Sequence, residues 1–265
     1  MKLSISNIAW DSSKDITMYK LMQKYKFEGL EIAPTRFFAH KPYEYLYEAK
    51  KLAKDLKTGY NLTVCSMQSI LYGRLESIFE SLENQRIITK YLFGAIDFAQ
   101  AMSCENLVFG SPKNRCLTKE EDYEVAVGFF KLLGDYAFRN GTVMSIEANP
   151  SMYGTNFINY TKEAVKLVKD VDSKGFKLNL DFGTIIANGE NIEEIVGHME
   201  YINHVHISEP GLLPISTRGE HKRLASILKE KAYKGFISIE MKKGQDDSLN
   251  DIERAMNYIA QVFKY

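Results

Sequence analysis

Glu147 in "MSIEANP", Asp181 in "KLNLDFG", His206 in "HVHISEP" and Glu240 in "FISIEMK" all stand near the end of a short run of alternating apolar and polar residues. Alternate residues of a β-strand share a face. Met144 and Ile146 thus oppose Ser145 and Glu147, and Leu178 and Leu180 oppose Asn179 and Asp181. Val205 and Ile207 oppose His204 and His206, and Ile237 and Ile239 oppose Ser238 and Glu240. Three carboxylates and an imidazole gathered at one height repel one another and lose hydration. Either their pKa values rise and they take up protons, or a cation neutralises them. A divalent ion is the simpler answer. Two Glu, one Asp and one His form a hard, oxygen-rich set suited to Mn²⁺, Mg²⁺ or Co²⁺, with Zn²⁺ also accommodated. His206, nearer the strand end, is the candidate ligand, and His204, one layer deeper, supports it by hydrogen bonding.

Elements that would bring the four together are legible along the chain. Strand candidates are "KLSISNIAW", "GLEIAPT", "NLTVCSMQSI", "ENLVFGSP", "TVMSIEANP", "FKLNLDFGT", "INHVHISEP" and "GFISIEMKK". Amphipathic helical segments lie between them. In "ESLENQRIITKYLFGAIDFAQAMS", Ile87, Ile88, Tyr91, Leu92 and Ala95 follow helical spacing. "KEEDYEVAVGFFKLLGDYAFRNG" stops at Asn140-Gly141, and "DSLNDIERAMNYIAQVFKY" completes the count. Eight β-then-α units in 265 residues predict an α/β fold, one (β/α)₈ TIM barrel spanning 1–265 as a single domain. No G-x-G-x-x-G follows the first strand and there is no P-loop, which argues against a doubly wound nucleotide-binding sheet. Helices must cover the outer face of such a barrel, so the apolar side of each strand faces out and the polar side faces the interior. Active sites of this fold sit at the C-terminal strand ends, where the four ionisable residues fall.

Bulk properties narrow the function classes. The 34 basic and 34 acidic residues cancel, which argues against broad electrostatic capture of nucleic acid. No stretch approaches an apolar membrane span, and the opening "MKLSISNIAW" is too short and polar for a signal peptide. Cys65, Cys104 and Cys116 lack zinc-site spacing and read as reduced thiols of a cytoplasmic protein.

The four strand ends, "IEANP", "NLDFGT", "HVHISEP" and "ISIEM", resemble the xylose isomerase-like barrel superfamily, the sugar phosphate isomerases and epimerases with their ketose 3-epimerase relatives. "SISNIAW" and "GLEIAPT" look similar to its opening segments, so the resemblance covers essentially the whole chain. It implies that Glu147, Asp181, His206 and Glu240 bind one divalent metal. The metal would hold and polarise a sugar carbonyl beside a hydroxyl and stabilise an enediolate. Glu147 and Glu240 would take and return the proton from opposite sides, giving epimerisation or aldose–ketose interconversion, with Asp181 and His206 purely ligands. Two positions depart from the ketose 3-epimerase pattern: Thr184 stands where those enzymes carry a histidine, and Leu212 where they carry an arginine. Specificity for a free ketohexose is therefore not carried over. Arg218 and His221 are candidates to fill part of that role. Pairing into a homo-oligomer through rim loops is a further expectation.

Topology adds rim candidates. Asn7 and Trp10 end the first strand run, Glu31 the second, and Ser66 and Gln68 the third, while Asn149 and Tyr153 follow Glu147. Glu31 reads equally well as a structural carboxylate beside a basic neighbour, and Trp10 as core. Cys65 reads as packing. Lys113, Lys242 and Lys243 lie in rim loops that could hold a phosphate, so the expected partner is a small sugar or sugar phosphate rather than nucleic acid or membrane. Three rivals stand beside the isomerase. A metal-dependent dehydratase or lyase acting on a sugar or cyclitol begins with the same proton removal. An endonuclease IV-like hydrolase needs more histidine ligands than the five present can supply. A sugar-binding barrel without turnover would tolerate Gln at both Glu147 and Glu240.

Overall fold

A computed structural model describes residues 1–244 and 249–264. Eight parallel strands close into a barrel in chain order, each followed by a helix. The strands are β1 (Lys2–Ser6), β2 (Gly29–Ile32), β3 (Thr63–Met67), β4 (Asn106–Phe109), β5 (Val143–Glu147), β6 (Phe176–Asp181), β7 (Ile202–Ile207) and β8 (Phe236–Ile239). The helices are α1 (Asp15–Lys24), α2 (Leu46–Tyr60), α3 (Leu82–Ala101), α4 (Asp122–Arg139), α5 (Thr161–Val171), α6 (Phe182–Asn188), α7 (Gly219–Glu230) and α8 (Asn250–Lys264). Among the described residues, no helix is long and apolar enough to cross a membrane.

Local chemistry sets the helix limits. The Ser81 hydroxyl caps α3 by accepting from the Asn84 amide at 3.1 Å. α4 ends at Arg139, and Gly141 takes the left-handed φ of +71° that a helix stop favours. α8 buries Ile252, Ala255, Met256, Ile259, Ala260 and Phe263, a spacing of three and four that lays one face on the barrel. Asp247, Ser248 and Tyr265 at the ends of the expected segment lie outside the described residues.

Strand residues divide as the alternation requires. Leu178, Leu180, Val205, Ile207, Ile237 and Ile239 face the helices and are buried, each contributing about 1.5–3 kcal/mol relative to exposure. Ser4, Glu31, Ser145, Asn179, His204, His206 and Ser238 are equally buried, on the inward face. Two register shifts adjust this interior. Between β6 and β7, Leu178 pairs Ile202 while Asn179 pairs His204, so Asn203 is an extra residue. Its amide turns inward to donate to Asn106 Oδ1 at 2.8 Å. Between β2 and β3, Leu30 pairs Val64 and Glu31 pairs Ser66, passing over Cys65. Such bulges re-aim side chains beside functional sites. Beyond the β7 shift, Asp181 stands beside His206 and His206 beside Ser238. Asn7 belongs to a short 3-10 turn after β1, and Glu240 lies one residue beyond β8.

Candidate active site

Glu147 is the last residue of β5 and Asp181 the last of β6, while His206 is the penultimate residue of β7. Together with Glu240 they offer one ligating atom each, all within 4.8 Å of one another. His206 Nδ1 lies 3.0 Å from Glu147 Oε2 and 3.2 Å from Glu240 Oε2. The cluster's three carboxylates line a cavity of about 550 Å³, with Gln68, Tyr72, Gly110, Asn149, Tyr153 and Leu212, and His206 lies buried against them.

Asp181 and Glu147 are held from behind by hydrogen bonds. Asp181 caps α6: its Oδ2 accepts from the Thr184 amide at 2.8 Å and its Oδ1 from the Ser208 hydroxyl. The Thr184 hydroxyl lies 2.8 Å from the same Oδ2. Thr184 therefore orients Asp181 where the ketose 3-epimerase pattern has a histidine. The Ser208 hydroxyl is itself fixed by the Gly183 amide at 2.9 Å. Glu147 accepts from Asn179 Nδ2 at 2.6 Å on one oxygen and from Asn149 Nδ2 at 2.9 Å on the other. Its carboxylate also leans on Gly110, where an added Cβ would lie 2.7 Å from Oε1.

Below this level, Glu31 Oε2 lies 2.9 Å from His206 Nε2 and 3.3 Å from His204 Nε2, the latter outside hydrogen-bond alignment. All three side chains are essentially inaccessible. With a proton on Nε2 facing Glu31, loss of the Nδ1 proton would leave the His206 lone pair for an ion held among the carboxylates, a tautomer assigned from its partners. Glu31, His204 and His206 form a second group whose ligating atoms lie close enough to share an ion. Of the two imidazoles, only His206 is aligned to hydrogen-bond the carboxylate.

Electrostatics reveal what the cluster lacks. Burial and the neighbouring Glu147 charge push Asp181 up to about 6. Burial, with Glu147 and Asp181 adding to it against the pull of His206, pushes Glu240 up to about 7. Burial opposes a charge on His206, yet Glu31, Glu240 and Glu147 hold the imidazole protonated well above its ordinary range. Burial likewise opposes ionisation of Glu31, and the two imidazoles nevertheless keep its carboxyl well below the carboxylate range. A cation among the upper four would remove this crowding. Mutual distances below 4.8 Å suit atoms that each approach one ion to roughly 2.0–2.2 Å. The donor set therefore fits one divalent metal.

The remaining sequence candidates are distributed unevenly. Gln68 and Asn149 line the cavity with Glu147, Asp181 and Glu240, as does Lys113, while His206 lies just beneath them. Gln68 Nε2 donates inward to Ser6 Oγ at 2.9 Å. Asn7 is wholly buried, its Oδ1 accepting from the Ala33 amide at 2.9 Å. Trp10 packs into the core and donates to Asp15 Oδ1 at 2.7 Å, with Arg36 joined to the same carboxylate. Arg218 does not line the cavity but makes a paired contact with Glu209, which does, its Nε at 2.8 Å and Nη2 at 2.5 Å. His221 is buried on α7 against Phe182, with Nδ1 3.1 Å from Tyr258 Oη. The structure thus places neither Arg218 nor His221 at the cavity, because each has a local partner that no spacing rule announces. Lys242 and Lys243 are absent from its lining, and Lys243 Nζ pairs with Asp11 Oδ2 at 2.5 Å. Cys65 is buried and burial raises its thiol well above the usual range, consistent with packing. Gly110, Arg115 and Ser208 were missed. Their place beside Glu147 and Asp181 is a tertiary fact, although "NLVFGSP" puts Gly110 at a strand end.

A profile of the xylose isomerase-like TIM barrel family matches residues 19–262. The chain belongs to that family. Solved xylose isomerase-like barrels share its fold at low identity. A 3-keto-D-glucoside 4-epimerase from Escherichia coli is 17% identical, covers 98% of this chain and 99% of its own, and superposes with a TM-score of 0.79. D-psicose 3-epimerase from Clostridium cellulolyticum, crystallised with D-tagatose, is 15% identical over 99% of each chain, with a TM-score of 0.82. A family 2 AP endonuclease from Brucella melitensis is 21% identical, covers 93% of this chain and 96% of its own, and has a TM-score of 0.72. No curated protein matches the chain by sequence.

Proposed function

We propose that the protein is a divalent-metal-dependent epimerase or isomerase of a sugar or sugar phosphate. The observation that carries this reading is the cluster of Glu147, Asp181, His206 and Glu240 at the C-terminal strand ends, its three carboxylates lining a cavity. These four residues would hold one ion, Mn²⁺, Mg²⁺ or Co²⁺ by the hardness of the donors, with Zn²⁺ also accommodated. When bound, the ion supplies Lewis acidity to a substrate carbonyl and its neighbouring hydroxyl and so acidifies the C–H beside the carbonyl.

Proton movement falls to the two glutamates. They stand three strands apart in the ring of eight, at the ends of β5 and β8, and approach a bound sugar from different sides. One removes a proton from carbon and the other delivers one, which inverts the centre or shifts the carbonyl. Glu147 is fixed by two amide donors. Among the described residues, the Glu240 carboxylate has only His206 Nδ1 at 3.2 Å. In the metal-free protein burial, with Glu147 and Asp181 beside it, pushes Glu240 up to about 7, and a bound cation would lower it again. Asp181 and His206 are ligands without a proton role. Gln68, Asn149, Tyr72 and Tyr153 give the cavity hydrogen-bonding groups and aromatic faces suited to a sugar. Lys113 lines the same cavity, as does Arg74 in its pair with Glu76, and would be the cation to meet a substrate phosphate.

Solvent exchange tests the reading. The metal-loaded protein is incubated in D₂O with ketoses, keto-glucosides and sugar phosphates. Deuterium at a carbon beside a carbonyl, abolished in Glu147→Gln, is the expected result. Loss of water from the substrate with no exchanged isomer recovered would reassign the site to a dehydratase. Binding of sugar without exchange or elimination across the panel would contradict an enzymatic role.

A further inference from the structure

We infer that Arg115 is a positioning residue for Glu147, acting through the side-chain amide of Asn149; the inference rests on the metal reading of the site. Arg115 follows the 3-10 turn Pro112–Asn114 after β4, and its side chain is wholly buried. Burying a guanidinium is costly unless it is paired and hydrogen-bonded. Yet Arg115 forms no ion pair among the described residues. Its Nη2 donates to the Glu147 carbonyl oxygen at 2.8 Å and to Asn149 Oδ1 at 2.5 Å, while Nε and Nη1 have no partner. A buried cation spent on two neutral acceptors beside a metal-ligating carboxylate calls for a role.

Donor and acceptor chemistry supplies it. Guanidinium is donor-only, whereas an amide has one end of each kind. Asn149 must therefore present Oδ1 to Arg115, which turns Nδ2 toward Glu147 Oε1 at 2.9 Å. The reversed amide would set N–H groups against the guanidinium and an oxygen against the carboxylate. Arg115 thus fixes the polarity of a two-bond relay that ends on the carboxylate. The second oxygen of Glu147 is fixed separately by Asn179, and Gly110 leaves room for the carboxylate to lie flat. The bond to the Glu147 carbonyl ties the same guanidinium to the end of β5, so one residue locates both the backbone and the head group of Glu147.

Mn²⁺ affinity, followed by electron paramagnetic resonance of the full chain without substrate, reads this directly. Arg115→Gln and Asn149→Ala should each weaken Mn²⁺ binding by about 10–100-fold, the range for groups that orient metal ligands. Arg115→Gln should cost less in the Asn149→Ala background than alone, because the relay is already cut and only the bond to the Glu147 carbonyl remains to be lost. Arg115→Lys, also donor-only, should retain more affinity than Arg115→Gln. Circular dichroism confirms folding of each variant. Where Arg115→Gln does not fold, Asn149→Ala decides alone: unchanged affinity overturns the inference. Full additivity in the double variant also overturns it, since Arg115 would then act by another route. Absence of Mn²⁺ binding by the unaltered protein overturns the metal reading and this inference together.

Discussion

His206 is held between two carboxylates, with Nε2 2.9 Å from Glu31 Oε2 and Nδ1 3.0 Å from Glu147 Oε2. The first places a proton on the deep side of the ring, and the second aims the opposite nitrogen at the candidate metal site. Glu31→Gln removes the charge that fixes this tautomer. Mn²⁺ affinity should fall by about 10–100-fold, measured by calorimetric titration. Glu31→Ala goes further and leaves two buried imidazoles without their carboxylate. Its unfolding free energy should drop by about 3–5 kcal/mol, as for other broken buried pairs, read from denaturant melts.

Glu240 contributes one oxygen to the cluster but carries the proton-transfer role in this account. Glu240→Gln should reduce exchange or turnover by about 10²–10⁴-fold while weakening metal binding less. Parallel assays of both quantities separate the roles. Equal loss in the two would leave Glu240 a ligand only.

Gly110 offers a substitution far smaller than removing a ligand. A Cβ there would stand 2.7 Å from Glu147 Oε1, so Gly110→Ala must displace the carboxylate. Metal affinity should fall severalfold or more while the thermal midpoint of the metal-free protein changes little. A crystal structure of the variant should show the Glu147 head group moved away from β4.

pH dependence follows from the raised carboxyl groups. Asp181 near 6 and Glu240 near 7 lie above their unfolded values, so the metal-free fold binds more protons than the unfolded chain between about pH 4 and 7. Their contribution to stability is complete below the unfolded pKa and is lost as pH rises through 6 and 7. The raised His206 acts in the same direction at higher pH. A divalent ion needs these groups deprotonated, so its affinity rises over the same interval and binding releases protons. The metal-induced increase in melting temperature should therefore be small at pH 5 and large at pH 8. An increase independent of pH would contradict the assigned ligand set.

Much of the barrel was legible because its strands betray their inward face. Parallel barrel strands usually read as unbroken apolar runs, and the polar alternation in β5 to β8 marks a polar interior. Ser145, Asn179 and Ser238 could thus be set beneath Glu147, Asp181 and Glu240 from spacing alone. Glu31 was visible by the same alternation, but its two histidine partners come from the far side of the ring and needed the closed barrel. Trp10, Arg218 and His221 show the limit of topology. Each follows a strand end, yet Asp15, Glu209 and Tyr258 draw them into local networks, and none of the three lines the cavity. Arg115 lies in a loop whose sequence gives no period, and only its burial exposes it. The β7 register shift was likewise hidden, since Asn203 reads as an ordinary strand residue until the pairing is known.

The most direct test is metal stoichiometry by elemental analysis after loading and desalting, on the unaltered protein beside Asp181→Ala and His206→Ala. The account predicts close to one divalent ion per chain in the unaltered protein and near none in either variant, with all three folded by circular dichroism. No ion in the unaltered protein under any loading condition, or full occupancy in both variants, would contradict a metal centre at Glu147, Asp181, His206 and Glu240.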